Sequence, residues 1–78
     1  MSADADETTI AGRLRVLRQQ HGEAIGHPTM SETEFAKLLG VEAAGYRAAE
    51  NGTSEPSMAL LTALHHTTGI SLDWLVMG

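Results

Sequence analysis

The stretch SETEFAKLLGVEAAGYRAAENG, residues 31–52, decides the fold of this chain. Ser31 is a favourable helix N-cap, and Glu34 three residues later completes a capping box. The first helical segment stops at Gly40, the residue best able to adopt the left-handed conformation that ends a helix. A second helical segment is predicted from about Glu42 to Glu50, and Asn51-Gly52 terminates it. The stretch therefore predicts two short helices joined by a tight turn.

Two helices that cross at a steep angle over a three-residue turn constrain particular positions. When Glu32 is counted as the first position, the fifth must be small because the second helix passes close to it, and it is Ala36. The ninth must tolerate a positive φ, and it is Gly40. The remaining constrained positions must be apolar to bury the joint, and they are Phe35, Leu39, Val41, Tyr46 and Ala49. Because every position satisfies its constraint, the sequence predicts a helix-turn-helix.

Apolar spacing predicts one helix before this motif. Ile10, Leu14 and Leu17 recur at i, i+4 and i+7, which places them on one helical face. We expect Gly22 to end this helix and residues 23–29, with their glycine and proline, to form a loop.

Two more helices are predicted after the motif. The fourth helix is expected to open at Pro56 or Ser57 and to close at Gly69. Its buried stripe is expected to consist of Met58, Leu61 and Leu64. Ser71 then caps a short last helix, LDWLVM. The predicted fold class is all-α, a compact five-helix bundle with a helix-turn-helix.

Length and composition are consistent with one small domain. The chain has 78 residues, 42% of them hydrophobic, and no cysteine, so the core must form without disulfides or thiolate metal sites. Residues 1–8 are polar and acidic and are predicted to be a flexible tail before a domain at residues 9–78. Such an N-terminus is unlike a secretory signal, and no apolar run approaches the roughly 20 residues that span a bilayer. We expect a cytoplasmic protein without a membrane segment.

The chain resembles the DNA-binding domain of the lambdoid phage repressor and Cro family, also called XRE-type. The resemblance covers about residues 9–78 and rests on five stretches: IAGRLRVLR, SETEFAKLLGV, AENG, EPS and GISLDWLVMG. It implies a transcriptional regulator of the repressor type, associated with the nucleoid, that binds double-stranded DNA as a dimer. In this family's docking mode the third helix enters the major groove, and the two half-sites lie about one helical turn apart.

The resemblance also assigns candidate site residues. The base-reading positions of the family fall on Ala43, Ala44, Arg47 and Ala48. The positions that touch the sugar–phosphate backbone fall on Ser31, Glu32, Asn51 and Thr53. Arg18 and Glu50 match a pair that joins the first helix to the third.

The predicted recognition surface departs from the family pattern. Alanines can contact only thymine methyl groups, so Arg47 is the one side chain there that can form a bidentate bond with guanine, or alternatively hold a phosphate. Glu32 stands where an uncharged donor would suit a phosphate better, and Thr53 stands where a basic residue is usual. Gly45 lies inside the third helix at a cost of about 1 kcal/mol relative to alanine.

The charge of the chain bears on the same question. The formal net charge is −5, and only five residues are Lys or Arg, although these supply most non-specific affinity for DNA. Asp4, Asp6 and Glu7 lie in the predicted tail, which leaves a weakly acidic body. Two functions therefore remain open. The first is sequence-specific DNA binding, and the second is a helix-turn-helix reused as a protein-interaction module or antitoxin-like partner.

Catalysis and metal binding are not expected. The sequence has no nucleophile–base pair, phosphate loop or paired carboxylate spacing, so we predict no enzymatic activity, no cofactor and no small-molecule ligand. His65 and His66 are adjacent and diverge on a helix, and His21 and His27 flank a loop, so no metal site is predicted.

The last helix is apolar on nearly every side. A single chain can bury Leu72 and Leu75 against the fourth helix, which leaves Trp74, Val76 and Met77 partly outside. An exposed apolar patch usually marks an interface. We therefore predict that these three residues form a symmetric homodimer contact.

Overall fold

The structure is a computed structural model that describes residues 9–77, so the predicted tail and Gly78 lie outside the described residues. Within the described range the chain is all-helical and contains no strand. Its elements are α1 (Ile10–Ala24), α2 (Glu32–Leu39), α3 (Ala43–Glu50), α4 (Met58–Thr68) and α5 (Leu72–Met77). None of these helices has the length and apolar character needed to cross a bilayer. The predicted fold class is confirmed.

The bounds of α2 follow from local chemistry. The Ser31 hydroxyl accepts a hydrogen bond from the Glu34 amide at 3.1 Å, and the Glu34 carboxylate accepts one from the Ser31 amide at 2.9 Å. Gly40 ends α2 in the left-handed region at φ 76°. Both signals were predicted, because each depends on residues within one turn of the helix end.

The prediction that Gly22 ends the first helix is wrong. Helix α1 continues to Ala24, and Gly22 is buried within it. The following loop folds back so closely that a Cβ at residue 22 would lie 2.5 Å from the His27 carbonyl oxygen. Glycine is needed here for a close backbone approach rather than for a helix end.

The core lies where α2 and α3 meet α1, α4 and α5. Phe35 and Tyr46 are fully buried and meet edge to face, with ring centroids 5.5 Å apart. Such a contact contributes roughly 0.5–1.5 kcal/mol beyond area burial. Three leucines complete the centre of this core, namely Leu14 of α1, Leu64 of α4 and Leu75 of α5. Helix α3 packs mainly against α1 and α2, and its buried side chains belong to one continuous core.

The predicted stripe of α4 is wrong in one position. Leu64 is buried as predicted and Leu61 is partly buried, but Met58 is 73% exposed and Leu60 is buried. Ser57 caps α4, so Met58 is its first residue and projects from the open end of the first turn. The buried face therefore follows Leu60 and Leu64, four residues apart.

The two glycines inside helices provide a matched test of these packing arguments. A Cβ at Gly45 would meet nothing within 4 Å, whereas a Cβ at Gly22 would collide with backbone. We expect Gly45→Ala to raise the free energy of unfolding by about 0.5–1 kcal/mol. Gly22→Ala should lower it by about 1–3 kcal/mol, because the loop must shift. Urea unfolding followed by circular dichroism measures both, and equal effects of the two substitutions would contradict this account.

Candidate nucleic-acid interface

Helix α3 has an inner side and an outer side. Tyr46, Ala49 and Glu50 are buried on the inner side. On the outer side Ala44 and Arg47 are exposed, while Ala43 and Ala48 are partly buried. The four residues predicted to read bases therefore share one accessible face, and Arg47 is the only charged side chain among them.

A buried carboxylate holds α3 in place. Glu50 is fully buried, and its Oε1 lies 2.7 Å from Nη2 of Arg18 on α1. The Arg18 Nε donates to the same carboxylate at 3.1 Å, and its Nη1 donates to the Met30 carbonyl at 2.7 Å. The Tyr46 hydroxyl donates to the other Glu50 oxygen. The structure thus forms the pair expected from the resemblance and adds Tyr46 and Met30 to it.

The same cluster shifts the pKa values of its members. The hydrogen bond with Glu50 raises the pKa of Arg18 above its ordinary value. Burial raises the pKa of Tyr46, and the hydrogen bond with Glu50 adds to that effect. Both groups therefore keep their protons across the physiological range.

The N-terminal turn of α2 lies beside this cluster. The Ser31 oxygen accepts the capping hydrogen bond from the Glu34 amide, which leaves its O–H group able to donate to a ligand. Glu32 is partly buried, and its pKa is raised by burial and then by the nearby negative charge of Glu50. Thr33 accepts a hydrogen bond at Oγ1 from Nη1 of Arg47 at 3.1 Å. Sequence reasoning missed Thr33, because no local motif links residues that are fourteen positions apart.

The loop between α3 and α4 carries the other predicted backbone contacts. Asn51 and Thr53 are both exposed. The Thr53 hydroxyl donates to the Ala48 carbonyl at 3.1 Å, so its proton caps the end of α3 instead of pointing outward. Together with Arg15 of α1, both residues line a cavity of about 640 Å³ between the start of α1 and this loop. Arg15 therefore joins the candidate surface as a cation that the sequence did not single out.

The fold turns two of the five basic residues inward. Arg13 is 7% exposed and donates from Nη1 to the Leu75 carbonyl of α5 at 3.0 Å. Arg18 is bound to Glu50 as described above. Lys37 and Arg47 are exposed, and Arg15 is partly buried. Among residues 9–77, at most three Lys or Arg side chains on the outer surface can therefore attract an anionic ligand.

A family model described as "Helix-turn-helix" matches residues 27–75, more than half of the chain. The chain belongs to the XRE/lambda repressor-like helix-turn-helix family. This is a family of DNA-binding regulators that are generally not enzymes. No curated protein and no solved structure matches the chain significantly. The match spans α2 to α4 completely and confirms the resemblance stated from the sequence.

Helix α5 carries the three residues predicted to form the dimer contact of this helix-turn-helix domain. On α5, Trp74 is partly buried against the core, whereas Val76 is 43% and Met77 is 80% exposed. The apolar surface at α5 therefore consists mainly of the last two residues. Among residues 9–77 no three His, Asp or Glu side chains are grouped closely enough to hold a metal ion.

Two neighbouring glutamates of α2 should respond to pH in opposite directions. The pKa of Glu34 is lowered to about 2, first by the hydrogen bond from the Ser31 amide and then by His27. Its ionised form thus stabilises the fold above the ordinary pKa of 4.5, and this stability is lost as pH falls toward 2. The pKa of Glu32 is raised, so its ionised form destabilises the fold, and stability is gained as pH falls through that raised pKa.

Replacing Glu32 and Glu34 with glutamine, one at a time, tests the two opposite pKa shifts. We expect Glu32→Gln to be more stable than the parent at pH 7, because it removes a charge held near Glu50. Glu34→Gln should be less stable at pH 7, and its stability should fall less between pH 4.5 and 2. Thermal unfolding across this pH series measures both effects. A shift of the same sign for the two variants at pH 7 would show that one assignment is wrong.

Proposed function

We propose that this chain is a transcriptional regulator of the repressor type that binds operator sequences in double-stranded DNA with α3 in the major groove. The observation that carries the proposal is the accessible face of α3, where Arg47 stands among three alanines on a helix fixed by the Arg18–Glu50 pair. Small residues permit close approach to base edges and thymine methyl groups, and one arginine can pair with guanine. A regulator of this kind acts where the genome is, in the cytoplasm at the nucleoid.

Backbone contacts are proposed for the two flanks of α3. On the α2 flank we assign the contacts to the Ser31 hydroxyl and the Glu32 main-chain amide, because the Glu32 carboxylate cannot donate to a phosphate. On the loop flank we assign them to Asn51 with Arg15 beside it, and Thr53 joins them only by exchanging its hydrogen bond to the Ala48 carbonyl for one to a phosphate. With no more than three outer cations per protomer, few counterions are released on binding. The logarithm of affinity should then fall with the logarithm of salt concentration by a slope no steeper than about −3 per protomer. Selectivity should consequently depend on few contacts and on DNA shape.

Selection from a library of randomised duplexes tests the proposal directly. We expect the parent protein to enrich one sequence class at low salt. Arg47→Ala should lose about 1–3 kcal/mol of discrimination between the enriched duplex and a shuffled one, because it removes the base-reading cation. Lys37→Ala is the matched control, since Lys37 is exposed on α2 outside the proposed contact set. It should preserve the ratio of the two dissociation constants.

One observation favours a second candidate, a protein-interaction module. The segments adjoining α3 carry three acidic residues, Glu32, Glu42 and Glu55, while Arg13 and Arg18 are turned inward. If no duplex is enriched even at low salt, this candidate replaces DNA binding. It then requires a protein partner, such as a toxin, that binds the parent but not Ala44→Tyr, a bulky change on the exposed side of α3.

We further propose that the active form is a homodimer joined through α5. Val76 and Met77 present apolar surface at the end of a helix that Arg13 ties to α1, so the surface has a fixed position. Exposed apolar patches of this kind commonly mark interfaces, and a two-fold dimer matches a palindromic operator. Trp74 contributes in part, because it also packs against the core of its own chain.

A charge at residue 77 should separate the protomers. Met77→Glu places a carboxylate in the proposed apolar contact, so we expect sedimentation analysis to report a monomer where the parent is a dimer. Met58→Glu is the matched control, because Met58 is an equally accessible methionine at the start of α4. It should keep the mass of the parent. A monomeric parent, or an unchanged mass for Met77→Glu, would remove α5 from the interface.

A further inference from the structure

The hydrogen bond between Arg47 and Thr33 links the outer face of α3 to the first turn of α2. Thr33 is the second residue of α2 and is exposed, as is Arg47. The Arg47 Nη1 donates to the Thr33 Oγ1 at 3.1 Å. We propose that Thr33 is a positioning residue that directs Arg47 and so determines which base pair α3 can recognise. This inference rests on the DNA-binding function proposed above.

The surroundings of Thr33 make it the partner that determines the direction of Arg47. The hydroxyl of Ser31 is bound to the Glu34 amide. The carboxylate of Glu34 accepts from the Ser31 amide and lies 3.0 Å from His27 Nε2. Glu32 interacts with the buried Arg18–Glu50 pair as well as with Arg47. In this turn, the Thr33 hydroxyl is thus the neutral group that accepts a hydrogen bond from Arg47.

The hydrogen bond to Thr33 restricts the Arg47 side chain but uses only part of its donor capacity. A guanidinium carries five N–H groups in a fixed plane, and the Thr33 bond uses one of them. The remaining donors can still reach a base edge or a phosphate. Because the guanidinium is held toward α2, its plane and reach are set before DNA arrives, which lowers the ordering cost of binding. An unrestrained Arg47 could instead pair with guanine at several neighbouring positions.

This arrangement makes the two flanks of α3 unequal. Arg47 leans toward α2, while the opposite flank, toward α4, carries Gly45 with open space above it. Glu42 and Glu55 line the groove on this α4 side of α3, where their negative charges disfavour phosphates. The base pair recognised by Arg47 should therefore lie on the α2 side of the recognition helix.

The test compares Thr33→Val, which removes the hydroxyl at nearly constant shape, with Thr33→Ser, which retains it. Affinities are measured by titration for the duplex enriched by the parent and for a shuffled duplex. We expect Thr33→Val to lower the ratio of the two affinities about three- to tenfold, the effect of one lost hydrogen bond. The salt slope should stay unchanged, Thr33→Ser should keep the parent ratio, and Thr33→Val should have no effect in an Arg47→Ala background.

Other outcomes overturn the inference or identify a different failure. An equal loss of affinity for both duplexes would make Thr33 a simple phosphate contact, and an unchanged ratio would leave it without a role in selectivity. If the parent enriches no duplex, the proposed function fails. The pairing is then judged in the free protein, where nuclear magnetic resonance reports rotation of the Arg47 guanidinium. Faster rotation in Thr33→Val than in Thr33→Ser supports the positioning role, and equal rates overturn it.

Discussion

The fold depends on compensation of one buried negative charge, the carboxylate of Glu50. Transfer of an ionised carboxylate into a protein interior is unfavourable unless it is paired and fully hydrogen-bonded. Arg18 and Tyr46 provide that compensation, and within residues 9–77 no buried side-chain nitrogen or oxygen lacks a hydrogen-bond partner. Loss of one member of such a pair typically costs about 3–5 kcal/mol. Because Arg18 also binds the Met30 carbonyl, the same interaction fixes α1, α3 and the segment before α2. The orientation of α3 thus rests on electrostatics as well as on apolar packing.

The inward orientation of Arg13 and Arg18 lowers the number of cations on the outer surface. The chain has five basic residues, and the fold directs Arg18 to Glu50 and Arg13 to the end of α5. Each of these contacts joins elements that are far apart in sequence, so both cations contribute to architecture. A DNA-binding surface would ordinarily use such cations for phosphates. The result is a helix-turn-helix with few outward-facing cations among the described residues, so we expect selectivity for DNA to depend on the geometry of a few side chains.

Local features of this fold were predictable, and features that depend on distant residues were not. The capping box at Ser31 and the left-handed Gly40 follow from interactions within one turn, and both were predicted correctly. The family resemblance supplied the Arg18–Glu50 pair, but not its extension to Tyr46. Gly22 was misassigned because its role depends on how the later loop folds back over α1. Met58 was misassigned because the run MALLTALHH offers more than one helical register of apolar residues. The Thr33–Arg47 contact has no sequence signature, since two exposed polar residues fourteen positions apart form no recognisable pattern.

Glu32 connects the interior network to the outer face. It lies at the start of α2, and burial together with the charges of Glu50, Arg18 and Arg47 acts on its carboxyl group. The ionised Glu32 side chain is therefore repelled by the buried carboxylate of Glu50 and attracted by Arg47 of α3. A phosphate approaching the N-terminus of α2 would be favoured by the helix dipole and disfavoured by this carboxylate. Since the two effects act over the same few ångströms, we expect the charge at residue 32 to influence both the stability of the fold and the access of phosphate. We therefore expect a substitution at this position to change the electrostatics of the Arg18–Glu50 pair as well as those of the proposed interface.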